Sequence, residues 1–215
     1  MNAGIVEAPA VSDRSEGSWR ESRGPAEGSD VAIPGAAART GPAGLLGRWG
    51  FSWRGLIDNR RGEWWLVAQL LLLAAQLLPP RPRLASLGLA WPLALQGLGW
   101  AVFALGLALA ARSLRTLGAS LTPLPEPMAG AALVTSGAYG RCRHPLYQAM
   151  LIGVLGLSLA LGSLLHLVLL LGLAVVLRGK AEREERRLLA LHPGYAAYRA
   201  GTAAILPGVP GLDWR

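Results

Sequence analysis

The chain has 215 residues, of which 52% are hydrophobic and 16% charged, and its net charge is +8. This apolar content, with charges confined to particular segments, excludes an ordinary soluble domain and indicates a membrane protein. The basic residues stand beside hydrophobic runs, so the positive-inside rule explains the charge and no nucleic-acid partner is expected. The single Cys142 excludes an intramolecular disulfide and a multi-cysteine metal site, and we interpret it as a packing residue.

Residues 1–47 are rich in Gly, Ala, Ser and Pro and show no apolar periodicity. Such a segment does not bury enough apolar surface to fold, and it is predicted to be a disordered tail. It contains no apolar core of signal-peptide length, and its acidic residues disfavour a mitochondrial transit peptide. Residues 45–57, with Trp49, Phe51 and Trp53 among them, predict a short interfacial helix.

Three uncharged hydrophobic runs follow, at residues 64–78, 85–111 and 146–177. The first closes at Pro79 and Pro80, which do not continue a helix. The third has 32 residues, so a single straight helix would be about 48 Å long, against a bilayer core of about 30 Å. We therefore predict a turn at Gly162 and Ser163 that divides this run into two helices of about 15 residues, which form a hairpin.

The charge distribution then favours four spans with both termini in the cytoplasm, because only Arg81 and Arg83 fall on the opposite side. The predicted fold is an all-α polytopic transmembrane bundle with a C-terminal helical hairpin and cytoplasmic amphipathic helices. Its segments are the tail 1–47, an interfacial segment and two spans at 48–113, a core at 114–207 and a tail at 208–215. The Ala, Gly, Leu and Arg content suggests a bacterial inner membrane.

Polar and aromatic residues gather where the third hydrophobic run begins. Pro145 is well placed as a first helical residue, which makes His144 the N-cap, near the positive end of the helix. Tyr147 follows one turn later, and Tyr139, Arg141 and Arg143 precede it. Together these groups could hold a carboxylate and direct aromatic faces at a cation, although an isolated His at a helix start is more often only a cap.

A charged cluster from Lys180 to Arg187 begins where the same run ends. A solvated helix, with pairs such as Glu182 to Arg186, is the simpler interpretation. The hairpin, however, would bring Glu184 to the side of the membrane where His144 lies, close enough to share a ligand.

Other polar features are less specific. Residues 117–132 form a loop that is either a passive connector or a wall of the site. Tyr195 and Tyr198 predict a second short amphipathic helix. His166 is expected to pack against another helix rather than bind a metal, and no metal site is assigned.

Several of these motifs, in this order, resemble the isoprenylcysteine carboxyl methyltransferase and phospholipid methyltransferase superfamily. The resemblance extends over residues 114–207. It is carried by Leu-Val-Thr-Ser-Gly-Ala-Tyr at 133–139, Arg-His-Pro-Leu-Tyr at 143–147, the pair Glu184 and Glu185, Tyr-Ala-Ala-Tyr at 195–198 and Ile-Leu-Pro at 205–207.

The resemblance implies an integral membrane methyltransferase that binds S-adenosylmethionine in a cytoplasmic pocket capped by the C-terminal segment. Lys180 takes the position of a substrate-contacting Arg. The cofactor-binding positions that the resemblance implies are Leu133, Val134, Tyr139, His144, Pro145, Leu146, Tyr147 and Glu184.

The acceptor is less well defined. The family default is O-methylation of an isoprenylcysteine-type carboxylate, whereas a phospholipid amine and a lipophilic thiol are alternatives. The chain departs from the family pattern at Lys180, at Ala131, where eukaryotic isoprenylcysteine enzymes have His, and at residues 140–142. No catalytic base is assigned. The expected partners are the lipid bilayer and a lipophilic or lipidated acceptor, and the oligomeric state is left open.

Two other classes of protein compete with this interpretation. Sterol reductases share a similar C-terminal architecture, so an NADPH-dependent membrane reductase is one alternative. A non-enzymatic membrane scaffold, whose polar clusters only anchor anionic lipid, is the other.

Overall fold

The computed structural model describes residues 53–118, 124 and 133–215. The predicted tail 1–47, most of the predicted interfacial helix, most of the 117–132 loop and Ala131 lie outside these residues. The described helices are α1 (Trp53–Asp58), α2 (Glu63–Ala75), a 3₁₀ turn (Leu84–Leu87), α3 (Leu93–Leu117), α4 (Pro145–Leu161), α5 (Leu164–Leu191) and α6 (Tyr195–Gly201).

Helix α2 is shorter than the first hydrophobic run. It starts after Gly62, whose φ of 82° is readily adopted only by glycine, and it ends with Gln76 as its C-cap. The prediction of a helix over 64–78 is therefore wrong at its C-terminal end. Its 13 residues span about 20 Å, less than a bilayer core.

The second hydrophobic run also begins differently from the prediction. Residues Leu84–Leu87 form a 3₁₀ turn that ends at Gly88, whose φ is 82°. Pro92 is the N-cap of α3 rather than a residue within it, and the helix continues through Arg112 and Arg115 to Leu117. The helix therefore starts later than the predicted range 85–111 and ends after it. The left-handed backbone of Gly88 and the extended backbone of Pro92 prevent a continuous helix over residues 85–92.

The third run breaks at the predicted position. Gly162, with φ 54°, is the C-cap of α4, and Ser163 is the N-cap of α5. The second helix is longer than predicted, because α5 has 28 residues and includes the whole charged cluster. By length and composition α3 and α5 are apolar enough to cross a membrane, whereas α2 and α4 are shorter apolar helices. The four spans and the transmembrane hairpin stay predictions.

Helices α3 and α4 pack with their backbones in close contact. A Cβ atom added at Gly99 would lie 2.2 Å from the backbone nitrogen of Ala160, and one added at Gly156 would lie 2.2 Å from that of Phe103. Gly106 meets Gly153 in the same way, at 2.5 Å. We call these four glycines the glycine seam. Small residues let helix backbones approach closely, which is how helices gain dispersion contacts in lipid.

A hydrophobic core joins α4, α5 and the C-terminal segment. Its buried members include Tyr147, Leu151, Leu173, Leu177 and Ile205. The predicted packing of His166 against another helix is confirmed, since its Nε2 lies 3.2 Å from the carbonyl oxygen of Gln76 at the end of α2.

The C-terminal segment also fixes the start of α4. The backbone N–H groups of Arg143 and His144 donate to the carbonyls of Ala203 and Ala204, at 2.8 and 3.0 Å. The predicted helix containing Tyr195 and Tyr198 is confirmed as α6, which leads into this segment. The position of the residues just before α4 is therefore set by a segment 60 residues further along the chain.

Candidate functional site

His144 occupies the N-cap position of α4, with Pro145 as the first helical residue, as the sequence predicts. Its side chain does not cap the helix. Instead the buried imidazole stacks on the ring of Tyr147, with centroids 5.2 Å apart and planes 3° from parallel. This stacking directs the ring edge, which carries both nitrogens, at α5.

Two consecutive carboxylates of α5 meet the ring of His144. Its Nε2 lies 3.0 Å from Oε1 of Glu185, and its Nδ1 lies 3.7 Å from Oε2 of Glu184. The first distance is that of a hydrogen bond and the second is too long for one. The hydroxyl of Tyr147 donates to the same Glu184 oxygen at 3.0 Å.

The two carboxylates have different surroundings. The side chain of Glu185 is 3% exposed and accepts from Arg143 Nε at 2.8 Å and from Trp214 Nε1 at 2.9 Å. Arg199 Nε lies 3.4 Å from Oε2 of Glu185, the oxygen that accepts from Trp214. The side chain of Glu184 is 27% exposed. Glu185 is thus enclosed by the protein, whereas Glu184 is open to a ligand.

Arg143 is buried, and its guanidinium is directed at the protein itself. Besides Glu185, its N–H groups donate to the carbonyls of Arg199 at 3.0 Å, of Trp214 at 2.6 Å and of Thr202. The sequence suggested that Arg143 helps to hold the carboxylate of a ligand. In the structure it holds the protein's own carboxylate and ties the C-terminal segment to α4.

Tyr139 lies at the edge of the same cluster. Burial raises the pKa of its hydroxyl, and the nearby charge of Glu184 adds to this effect. The hydroxyl therefore stays protonated and can donate a hydrogen bond near Glu184 at neutral pH. The carbonyl of Tyr139 accepts from the Tyr198 hydroxyl at 2.5 Å, which links this loop to α6.

The remaining predicted positions differ in exposure. Leu133, Val134 and Leu146 are half-buried, and Pro145 is buried. Cys142 is buried, and burial raises the pKa of its thiol to about 11. A thiol that stays protonated at neutral pH is a poor nucleophile, which agrees with its interpretation as a packing residue.

Lys180 lies one helical turn before Glu184 and is 3% exposed. Its Nζ donates to Oε1 of Gln69 on α2 at 2.6 Å and lies 5.4 Å from the centroid of the Tyr147 ring. The structure therefore places the predicted substrate-contacting residue beside Tyr147 and one helical turn from Glu184.

Sequence reasoning missed two contributors to this cluster, Gln69 and Trp214. Gln69 is one of two amides in the hydrophobic run 64–78, and this was a usable signal, because a polar residue within a membrane helix requires a partner. Trp214 belongs to the region that we described as a tail, 208–215. The sequence around it gives no pattern that points to Glu185, since the contact depends on how the chain turns after α6.

The assembled site has a defined chemical character. Glu184 and the Nδ1 edge of His144 face each other, the Tyr147 ring forms a wall, and the cation of Lys180 lies on the side of α2. A carboxylate accepts hydrogen bonds and attracts cations, and aromatic faces also favour cations. The arrangement therefore suits a ligand that carries a positive charge and hydrogen-bond donors.

Comparison with known protein families agrees with the motifs. Residues 95–192 match the family described as Phospholipid methyltransferase. This segment contains His144, Tyr147, Lys180 and Glu184, and the matched family belongs to the integral membrane methyltransferase superfamily. The family resemblance predicted from the motifs is thereby confirmed. The match and the two long apolar helices together support a membrane protein.

The chain is also similar to a curated protein of Cupriavidus metallidurans, the cobalt-zinc-cadmium resistance protein CzcN. The two are 42% identical over 76 residues, which are 35% of this chain and 35% of that relative. In residues 53–118, 124 and 133–215, no group of three or more His, Cys, Asp and Glu side chains is arranged to hold a metal ion.

Proposed function

We propose that the protein is an S-adenosylmethionine-dependent membrane methyltransferase that acts on a lipophilic acceptor. The observation that carries the proposal is the convergence of His144, Tyr147, Lys180 and Glu184 inside the segment that matches the methyltransferase family. These residues come from the start of α4 and the second half of α5, at the distant ends of two consecutive helices. Their side chains lie close together, so the motif at 143–147 and the pair Glu184 and Glu185 contribute to one site.

The side chains fit the chemistry of the cofactor, which carries an amine, a carboxylate, ribose hydroxyls and a sulfonium. Glu184 Oε2 and His144 Nδ1 are 3.7 Å apart, so a donor such as the amine or a ribose hydroxyl can be accepted at this gap. The first turn of α4 offers the N–H groups of Leu146 and Tyr147, which have no helical acceptor and favour an anion. The aromatic faces of Tyr147 and Tyr139 suit a cation.

When bound, the cofactor supplies a methyl group activated by the adjacent sulfonium. The transfer is an in-line displacement, so the protein contributes mainly by positioning and needs no covalent intermediate. Glu184, His144 and Tyr147 bind and orient the donor side. The buried core of α4 and α5, with Leu177 and Ala181 on α5, excludes water from the inner face of the site.

Lys180 and Gln69 are proposed to contact the acceptor. They form a buried polar pair, in which Lys180 lies one turn along α5 from Glu184, toward the apolar part of that helix, and Gln69 lies on α2. The ammonium of Lys180 suits an acceptor with an acidic oxygen group, and an isoprenylcysteine-type carboxylate is the family default. A phospholipid amine and a thiol are the alternatives. A carboxylate or thiolate needs no general base, whereas an amine must first lose a proton.

For location we propose a bacterial inner membrane, four spans and cytoplasmic termini. This topology leaves the arginines near the site and the charged half of α5 on the cytoplasmic side, as the positive-inside rule favours. The soluble cofactor would then reach Glu184 from the cytoplasm.

Calorimetry on the detergent-purified protein tests the cofactor. We expect S-adenosylmethionine to bind with micromolar affinity, and we expect His144→Ala and Glu184→Ala each to weaken binding at least tenfold. Glu182→Ala is the matched control, because Glu182 lies on the same helix and pairs with Arg178 in solvent. It should bind like the unchanged protein.

The same titration with NADPH distinguishes the competing classes. Binding of NADPH instead of S-adenosylmethionine would overturn the proposal in favour of a reductase. Binding of neither by folded protein would favour a scaffold. Equal loss of affinity in Glu182→Ala and Glu184→Ala would show that general charge, rather than this site, accounts for binding.

A further inference from the structure

Trp214 and Arg143 enclose the carboxylate that contacts His144. Arg143 Nε donates to Glu185 Oε1, and Trp214 Nε1 donates to Oε2. The two residues also hold each other, because Arg143 donates to the Trp214 carbonyl at 2.6 Å and its guanidinium carbon lies 5.9 Å from the centre of the indole ring. We propose that Trp214 and Arg143 are positioning residues that hold Glu185 so that His144 keeps its proton on Nε2 and offers Nδ1 as an acceptor.

The location of the proton follows from the partners of Glu185. Its two oxygens receive N–H groups from Arg143 and Trp214, with Arg199 3.4 Å away, so the buried carboxylate is charged and only accepts. His144 Nε2 lies 3.0 Å from Oε1. Because that oxygen has no proton to give, the hydrogen bond requires the proton on Nε2.

In the neutral ring that we propose, the proton is on Nε2 and Nδ1 has a lone pair. That nitrogen lies 3.7 Å from Glu184 Oε2, which already accepts from Tyr147. Two acceptors then lie side by side, and a donor group placed next to both of them could bond to each. His144 therefore receives a hydrogen bond from the ligand, rather than donating one to a carboxylate as the sequence suggested.

The C-terminal segment keeps Trp214 in place. Asp213 accepts from the backbone N–H groups of Ala204 at 3.3 Å and Gly208 at 2.9 Å, and Leu212 accepts from Ile205 at 3.0 Å. These contacts form a closed turn. Since Asp213 and Trp214 lie outside the family-matched segment 95–192 and after the last motif at 205–207, the state of His144 depends on a part of the chain beyond the family motifs.

The state of His144 can be measured directly. The chain has three histidines, so ¹⁵N-histidine labelling and magic-angle-spinning NMR in lipid, with His144→Gln for assignment, report its two ring nitrogens. We expect the Nε2–H form in the ligand-free protein at neutral pH. An Nδ1–H ring, or an imidazolium shared by Glu184 and Glu185, would overturn the inference. This measurement needs no variant at Trp214.

Trp214→Phe then tests the positioning role, because it keeps an aromatic ring but removes the N–H that holds Glu185. We expect a mixture of His144 tautomers and a roughly tenfold loss of affinity for S-adenosylhomocysteine, a size typical of residues that orient a ligand-binding side chain. Trp100→Phe is the control, since Trp100 is 51% exposed on α3. An unchanged tautomer in folded Trp214→Phe would contradict the role.

The choice of ligand rests on the proposed function, whereas the tautomer does not. If the wild type shows Nε2–H but binds neither S-adenosylmethionine nor S-adenosylhomocysteine, the proposed function fails and the tautomer inference stands. If it binds both with an imidazolium at His144, the proposed function stands and the inference fails.

Discussion

Two regions of this molecule bring its helices together by different physical means. The glycine seam between α3 and α4 joins two helices through backbone contact, and a Cβ atom at Gly99 or Gly156 would lie 2.2 Å from a neighbouring backbone atom. The junction of α4, α5 and the C-terminal segment is joined by buried charge, with Arg143 and Glu185 at its centre. Close backbone packing holds the helices together at the glycine seam, whereas hydrogen bonds between buried charged groups hold them together at the junction.

The difference concerns what each region can do. A seam of glycines offers no group to a ligand, so its contribution is to fix where α4 lies. The junction contains charged groups that cost free energy to bury, and each must be paired. Such groups hold a geometry that is sensitive to small changes, which suits a binding site. The rigid seam and the polar junction share α4, so the seam supports the helix that carries Tyr147.

Adding one methyl group at the seam should have the largest effect. In Gly156→Ala the new Cβ would lie 2.2 Å from the backbone nitrogen of Phe103, which cannot move aside as a side chain tip can. We expect a loss of more than about 5 kcal/mol, which is exceptional for a single substitution, measured as the unfolding free energy in detergent titrated with dodecyl sulfate.

Gly97→Ala is the matched control for the seam. Gly97 also lies on α3, and a Cβ atom there would have no heavy atom within 4 Å. It should be neutral or should stabilise by up to about 1 kcal/mol, because Ala favours helix over Gly. Similar losses in both variants would show that helix packing is not the cause.

Breaking the central ion pair of the junction should have the next largest effect. Arg143→Met leaves Glu185 buried with one charged donor fewer, and we expect a loss of about 3–5 kcal/mol in the same titration. The exposed pair of Arg178 and Glu182 is the comparison, and Arg178→Met should cost less than about 1 kcal/mol. A small loss in Arg143→Met would mean that water reaches Glu185 in solution.

Replacing Asp213 should have the smallest effect on stability, and this effect should depend on pH. The N–H of Gly208, followed by that of Ala204, lowers the pKa of the Asp213 carboxyl. A lowered pKa means that the carboxylate stabilises the fold above its unfolded pKa of about 3.9, and that this stability is lost as pH falls through the lower folded value.

Comparing the unchanged protein with Asp213→Asn tests this sign. The variant should be less stable at pH 7, and the difference should shrink below about pH 4 as the wild-type carboxyl becomes protonated. Proteolysis of the C-terminal segment over a pH series measures it. A difference that does not change with pH would show that the hydrogen bonds, and not the charge, hold the turn.

Much of the fold could be predicted from local chemistry. The break at Gly162 follows from the length of the apolar run, the start of α4 follows from Pro145, and the presence of α6 follows from the spacing of Tyr195 and Tyr198. The predicted ends of the helices were less accurate. Gly88 and Pro92 moved the start of α3, because their backbone conformations outweigh the hydrophobicity around them.

The sequence by itself determined the apolar helices, the family motifs and the residues with chemistry to offer, because these depend on residue type and local spacing. Only the tertiary structure decided how these residues are used. It turned Arg143 toward Glu185 rather than toward a ligand, left Glu184 open, and brought Gln69 and Trp214 to the site. The reason is physical: a buried charge takes whichever partner the packed helices place beside it, and spacing along the chain does not specify that partner.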